Sequence, residues 1–333
     1  MVEGTKGSHH KEGSTKMSKH TTICAGIDTG KRKLDVAIAE CPHRLQIDNN
    51  PDGHTALSKW LREHRVKRVG IEASGGYEQA VVAALRRDGF VVIVFQPAQV
   101  RAYAKFHLQR AKNDRIDAAL IAVCTAATQK IHAPPDPRLA PFAEHLTMVE
   151  QLTEDIAHLK TRRETCRNDR IRQHWNGEIA RLKGLLRVEL KALIAAIRQH
   201  HDLSERLDLI ASVGGIGLKT AVPILVRMPE IGRVTREQAA ALAGLAPYDD
   251  DSADQVGVRH IDGGRERLRK ALYTAALPAA FRWNPQLNAI YSRLIAAGKP
   301  HKVALVACAR KLLIYANTVV ERGTPWTERP API

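Results

Sequence analysis

Hydrophobic and polar positions change rhythm along the chain. Near the start the apolar runs are short and end on turn residues. "TTICAGIDTGKRKLDVAIAE" is apolar, then Asp-Thr-Gly, then apolar again, which predicts a hairpin with Asp28 at the end of its first strand. "VKRVGIEASGG" predicts a buried strand that ends at Glu72 and breaks at Gly75 and Gly76. "YEQAVVAALRRDG" has helical period and closes on Gly89 as a C-cap. "FVVIVFQP" is a short β-rich run stopped by Pro97, and residues 98–129 read as one or two helices. Hairpin, strand, helix, strand, helix predicts an α/β domain with a mixed sheet over residues 22–132.

"HAPPDPRLAP" is rich in proline and predicts a linker at 133–140. Over 141–205 charges alternate with Leu and Ile at helical spacing, as in "EIARLKGLLRVELKALIAAIRQH". This pattern predicts a long antiparallel helical pair or coiled coil, serving as a spacer or a self-association element. Residues 206–325 read as a helical C-terminal domain. There "LIASVGGIGLKTAVPILVRM" sets a glycine-rich turn between helical runs, the mark of a helix-hairpin-helix or of a plain tight turn; the former presents backbone N–H groups to phosphate. After Pro247 a polar loop leads into a basic helix, and 301–322 is the last helix. Residues 1–21 read as a disordered basic tail, and 326–333 as a tail. The expected fold is therefore α/β followed by all-α.

Charge narrows the functional classes. Fifty-one Lys and Arg against 35 Asp and Glu give a net charge of +16 over 333 residues. That excess favours a polyanionic partner, nucleic acid first, although a merely basic enzyme fits it too. Five cysteines, none with CxxC spacing, point to reduced thiols in a cytoplasm. No apolar run is read as a bilayer span and no signal peptide is recognised, so no membrane role is expected.

The acids carry the chemistry. Asp28 and Glu72 end predicted neighbouring strands, and Asp114 and Asp117 lie one helical turn apart in "AKNDRIDAAL". If that helix packs beside both strand ends, the four carboxylates converge. Divalent cations with hard oxygen ligands, Mg²⁺ or Mn²⁺, would relieve their repulsion. Two such ions stabilise the attacking and leaving oxygens of a phosphodiester. Taken one at a time, each acid is better read as a turn cap, a surface group or a partner of Lys112 and Arg115.

The set Asp28, Glu72, Asp114, Asp117 resembles the DEDD residues of a RuvC-like, RNase H-type nuclease domain. "GIDTGKRKLDVAI", "IEASGGYEQAV" and "AKNDRIDAALIA" resemble the DEDD transposases of the insertion-sequence 110/1111 family. "QAAALAGLAP" and "GGRERLRKALYTAAL" are similar to the C-terminal transposase domain of that family, and the resemblance runs over residues 22–322. It implies a transposase that excises and inserts a mobile element. It implies that the four acids hold Mg²⁺ or Mn²⁺, and that Ser252, in register after Leu245-Ala246-Pro247, attacks DNA and forms a phosphoserine link. The family commonly has glycine after this serine, where this chain has Ala253. The implied partners are donor and target double-stranded DNA, a structured guide RNA, and further copies of the chain as a dimer or tetramer.

Basic residues near these motifs are candidate nucleic-acid contacts: Lys31, Arg32, Lys112, Arg115, Lys219, Arg259, Arg265, Arg267, Arg269 and Lys270. A solvated basic helix face accounts for the last group equally well. Two other functions stay open on residues alone. One is a metal-dependent junction-resolving endonuclease that uses the acids and water without Ser252. The other is a nucleic-acid-binding protein with a degenerate nuclease fold.

Overall fold

A computed structural model describes residues 22–107, 114–129, 134, 136–248 and 260–327, with the side chains of 114–116 outside that description. The chain forms two compact units, Met1–Ala133 and Pro134–Ile333.

The first unit is a five-stranded mixed sheet. Its strands are β1 (Cys24–Thr29), β2 (Lys33–Ile38), β3 (Arg44–Asp48), β4 (Arg68–Glu72) and β5 (Val91–Phe95), in the order β3-β2-β1-β4-β5. The first three pair antiparallel as a meander, whereas β4 and β5 run parallel to β1. The predicted hairpin, both later strands and helix α2 (Gln79–Arg87) are all present. The sequence reading passed over β3 and helix α1 (Pro51–Glu63). That helix starts on a clear signal: Asn50 accepts from the Gly53 N–H at 2.8 Å, and Pro51 stands at the first position.

Period-two alternation gives the sheet two covered faces. Ala25, Ile27, Val36, Val69, Ile71 and Val92 pack with Leu57 and Leu61 of α1 and with Val81 and Leu85 of α2. On the other face Phe95 packs with Val100 of α3 (Pro97–Phe106) and with Leu120, Ile121 and Cys124 of α4 (Asp114–Ala127).

The second unit is almost wholly helical. Helices α5 (Leu139–Thr165) and α6 (Asp169–Arg198) form an antiparallel hairpin, sealed by Leu152, Ile156, Ile179 and Leu182. Near its open end His145 Nε2 lies 2.9 Å from Glu189, and near its tip Arg163 contacts Asn176. Helix α5 begins at Leu139, within the stretch read as linker, because Pro141 falls in the first turn where no N–H is needed. The base of the hairpin shares one core with α7 (His201–Ala211), α8 (Leu218–Arg227), α9 (Arg236–Leu242), α10 (Glu266–Pro278), α11 (Pro285–Ala296) and α12 (His301–Arg322).

Helix α12 corrects the membrane reading, since it is long and apolar enough to cross a bilayer. Half of its most apolar stretch is instead buried, with Cys308, Leu312 and Leu313 in this core. Its buried Asn317 is satisfied at both ends, by the Gly232 N–H at 2.8 Å and the Val234 carbonyl at 2.9 Å. Two short strands, β6 (Pro247–Tyr248) and β7 (His260–Ile261), pair antiparallel with Tyr248 opposite His260.

Candidate active site

Strand alternation decides where the acids point. In the parallel pair, Gly26 of β1 lies beside Gly70 of β4 and Ile27 beside Ile71. Asp28 and Glu72 follow the isoleucines, so they share the face of the two glycines. Helix α4 covers that face. A Cβ on Gly26 would stand 2.2 Å from the Ala122 nitrogen and 2.3 Å from the Ala118 oxygen. Gly70 is closed by the side chain of Thr125, whose hydroxyl donates to the Ile121 carbonyl at 2.6 Å. Gly26 thus lets the helix backbone lie directly on β1, and Gly70 makes room on β4 for the Thr125 side chain of the same helix. Asp117 precedes Ala118 on that helix, and Asp28 follows Gly26 by one strand repeat. Asp28, Glu72 and Asp117 are each half-buried, and each takes part in further interactions.

The turns around these acids are tied together. Asn49 Nδ2 donates to the Gly30 carbonyl at 3.0 Å and to the Tyr77 carbonyl at 3.1 Å. It therefore links the β1–β2 turn after Asp28 to the loop after Glu72. Asn49 Oδ1 is held in turn by His54 Nε2 at 2.8 Å. Burial, helped by Arg87, pushes the His54 pKa below its ordinary value, so the ring stays neutral and donates. Within the second loop Glu78 accepts from the Ser74 and Gly76 N–H groups at 3.0 and 2.9 Å. Sequence reading missed Asn49 and His54. The Asn50-Pro51 helix start would have drawn attention to the segment, but nothing local shows where the Asn49 amide reaches. Asp35, opposite Asp28 in register, was also missed; it accepts from Gln46 at 2.9 Å.

The oxygen-only donor set suits a hard divalent cation. Among the described residues no three of His, Cys, Asp and Glu gather closely enough to hold one. Asp114 opens α4, and its side chain lies outside the described residues, as do those of Arg115 and Lys112. Lys31 and Arg32 are exposed in the turn after Asp28.

In the helical unit the predicted basic cluster is largely engaged by its own chain. Arg265 forms a two-pronged pair with Glu230 at 2.6 and 2.7 Å. Arg267 and Arg227 both reach Glu150 Oε2 at 2.7 Å, joining α5, α8 and α10. Arg269 donates to the Gly263 carbonyl at 2.5 Å. Lys270 is exposed and lies 3.1 Å from Glu266. Lys219 is exposed in the first turn of α8. The glycine-rich turn before it packs closely: a Cβ on Gly215 would meet that of Ala279 at 2.3 Å, and Asn284 donates to the Gly214 carbonyl at 3.0 Å. Ser252 and Arg259 lie outside the described residues, between Tyr248 and His260 of the β6–β7 ribbon. All five cysteines are free thiols, and burial pushes Cys308 up to about 11.

Comparison with known proteins gives the following. A DEDD transposase profile of the IS110 type, described as a transposase, matches residues 25–174. A second profile, described as the transposase IS116/IS110/IS902 family, matches residues 207–292. The chain is 26% identical over 321 residues to the pilin gene-inverting protein of Moraxella bovis, covering 91% of this chain and 97% of that protein. It is 30% identical over 142 residues to an insertion element IS110 protein of Streptomyces coelicolor, covering 42% of this chain and 34% of that one. Among solved structures it is similar to Thermus thermophilus RuvC, at 21% identity and a TM-score of 0.23, covering 34% of this chain and 83% of that one.

Proposed function

The chain belongs to the IS110 family of transposases, and from that premise we propose that it excises a mobile element and inserts it at a chosen site through a serine-linked intermediate. The observation that carries the reading is the face shared by Asp28 and Glu72, covered by α4, the helix that carries Asp117. The strand order β3-β2-β1-β4-β5 supports an RNase H-type nuclease for this unit. Asp28, Glu72, Asp114 and Asp117 would hold Mg²⁺ or Mn²⁺. Such ions supply charge stabilisation at the reacting phosphate.

Ser252 in the second unit is the proposed nucleophile. Its Oγ forms a bond to phosphorus, the bond from phosphorus to the leaving sugar oxygen breaks, and the serine proton is passed on to that oxygen. Attack of a new sugar hydroxyl on the phosphoserine reverses these steps and rejoins the strand. A relative named for inverting a gene supports this over a resolving endonuclease, because inversion requires rejoining.

A net charge of +16 supports a chain that carries DNA together with a guide RNA, in which base pairing reads sequence and protein reads backbone. Joining several DNA ends needs several protomers. The α5–α6 hairpin is the proposed joint, and its exposed Val188 and Met148 support that role. The setting is the cytoplasm, at the nucleoid.

The test is adduct trapping. Wild type and Ser252→Ala are incubated with labelled donor and target DNA and guide RNA, then denatured. Wild type should trap a protease-sensitive protein–DNA adduct and the variant should not. An adduct on the variant removes Ser252 as nucleophile. Cutting by both proteins without any adduct means that the metal-dependent endonuclease is correct.

A further inference from the structure

After Pro278 the chain makes one π-helical turn, Ala279–Trp283, closed by the Asn284 N–H on the Ala279 carbonyl at 2.9 Å. The wider turn leaves Phe281, Arg282 and Trp283 exposed in succession. Phe281 is 49% and Trp283 61% exposed, far more than large rings usually are. They do not stand alone. The Phe281 ring meets Tyr291 of α11 edge-on at 4.8 Å, and Tyr291 meets His301 of α12 at 5.7 Å. The Tyr291 hydroxyl and His301 Nδ1 are 2.7 Å apart, which fixes that ring. Exposed Arg282, Arg293, Lys299 and Lys302 lie on the same turn, helix and loop.

Through the corner itself, residues 282–302, the chain holds Arg282, Arg293, Lys299 and Lys302 and no Asp or Glu. A second copy of the chain is a poor occupant. A two-fold interface would set this patch against itself, basic groups facing basic groups. A duplex is a poor occupant too, because its bases are already stacked and offer the rings no face. Exposed rings beside basic groups, on a segment that carries no acid of its own, are what an unpaired strand requires: π-faces for its bases and cations for its phosphates.

We propose that this corner, the π-turn with α11 and the start of α12, is a stacking platform for single-stranded DNA. It would hold the strands unpaired during exchange. The proposal rests on the transposase reading only in taking DNA, rather than RNA, as the occupant.

The experiment uses the full chain and fluorescence anisotropy. Labelled oligo(dT), oligo(rU) and a blunt duplex of matched length are titrated with wild type, Trp283→Ala, and Phe281→Ala/Trp283→Ala. Circular dichroism and sedimentation are recorded for each. Each lost ring should weaken oligo(dT) binding roughly 5- to 100-fold. Duplex binding, helicity and oligomer size should not change. Trp283→Ala alone, at the more exposed ring, keeps the test valid if the double variant misfolds. Loss on oligo(rU) with oligo(dT) unaffected overturns the choice of DNA. A smaller oligomer with unchanged oligo(dT) binding makes the corner a protein interface and overturns the platform. Wild-type oligo(dT) affinity in a folded double variant that still binds duplex overturns the platform alone. If wild type binds neither duplex nor single strand, the nucleic-acid reading falls and takes the platform with it.

Discussion

The two units of this chain treat charge in opposite ways. In the sheet unit, strand register puts Asp28 and Glu72 on one face, and Gly26 on that face admits the backbone of α4, the helix that carries Asp117. In the helical unit, carboxylates return through the fold to clamp arginines, as Glu150 does between Arg227 and Arg267. The first arrangement sets half-buried carboxylates on and beside one covered sheet face. The second neutralises charge within the protein and leaves a basic, acid-free stretch elsewhere. Removing a carboxylate should therefore harm activity in one unit and stability in the other.

The largest effect should come from Asp117→Asn, which removes charge at nearly constant volume. Under the proposed metal role, its loss should slow DNA cleavage roughly 10²- to 10³-fold, with the melting temperature unchanged. Asp155→Asn, at an exposed acid of α5, is the matched control and should leave cleavage intact. Equal cleavage by both variants, or full cleavage by wild type in EDTA, breaks the comparison.

Next in size is the glycine contrast. Gly26→Val would drive side-chain atoms into the α4 backbone, where even a Cβ stands 2.2 Å from a nitrogen. A loss of about 3 kcal/mol is expected at the least, read from urea midpoints. Gly177 of α6 has nothing within 4 Å of its would-be Cβ. Gly177→Ala should therefore stabilise by about 0.5–1 kcal/mol through helix propensity. If Gly26→Val is tolerated, close helix approach does not set the face of the acids.

Glu150→Gln should cost about 2 kcal/mol, because Arg227 and Arg267 would then share a site without a counter-charge. The Glu150 side chain is only 16% exposed, whereas Arg267 at 40% keeps enough water to soften the loss. Glu154→Gln, whose carboxylate lies 4.0 Å from exposed Lys270, should change stability very little.

These contrasts also mark what the sequence can and cannot display. The hairpin at Asp28, the strand to Glu72 and helix α12 were legible because their signals are local: alternation, glycine breaks and helical period. The acids were legible as a spaced set. That Gly26 and Gly70, each two residues earlier, turn them toward α4 needs the register. The engagement of the basic cluster was not legible. Glu230 reaches Arg265 from 35 residues away and Glu150 reaches Arg267 from 117, and no window along the chain joins such partners. Helix α1 was visible in Asn50-Pro51 and was passed over. The π-turn has no sequence signature, and "AAFRWNP" gives no sign that its rings face water.

The smallest predicted effect is a pH dependence, and it again separates the units. His54 is buried at the Asn49 clamp, and its pKa is lowered, by desolvation first and by Arg87 second. Between the lowered folded value and the ordinary one the unfolded chain binds more protons, so stability rises with pH there. Its contribution is complete above the ordinary histidine value of 6.5 and is lost as pH falls through the folded value. In the helical unit Asp202, bonded to Arg138 at 2.7 Å, is held down to about 2. Its contribution is present above the ordinary carboxylate value and is lost only as pH falls through about 2. Mild acid should therefore weaken the sheet unit first. Amide hydrogen exchange at about pH 7.5 and about pH 5.5 should show protection falling in β1 and in the loop after β4, with α7 unchanged. His54→Gln keeps a donor for Asn49 but cannot titrate, so it should remove that difference. If the variant still loses protection in β1 at the lower pH, His54 is not the titrating group. If α7 opens first, the ordering of the two units is wrong.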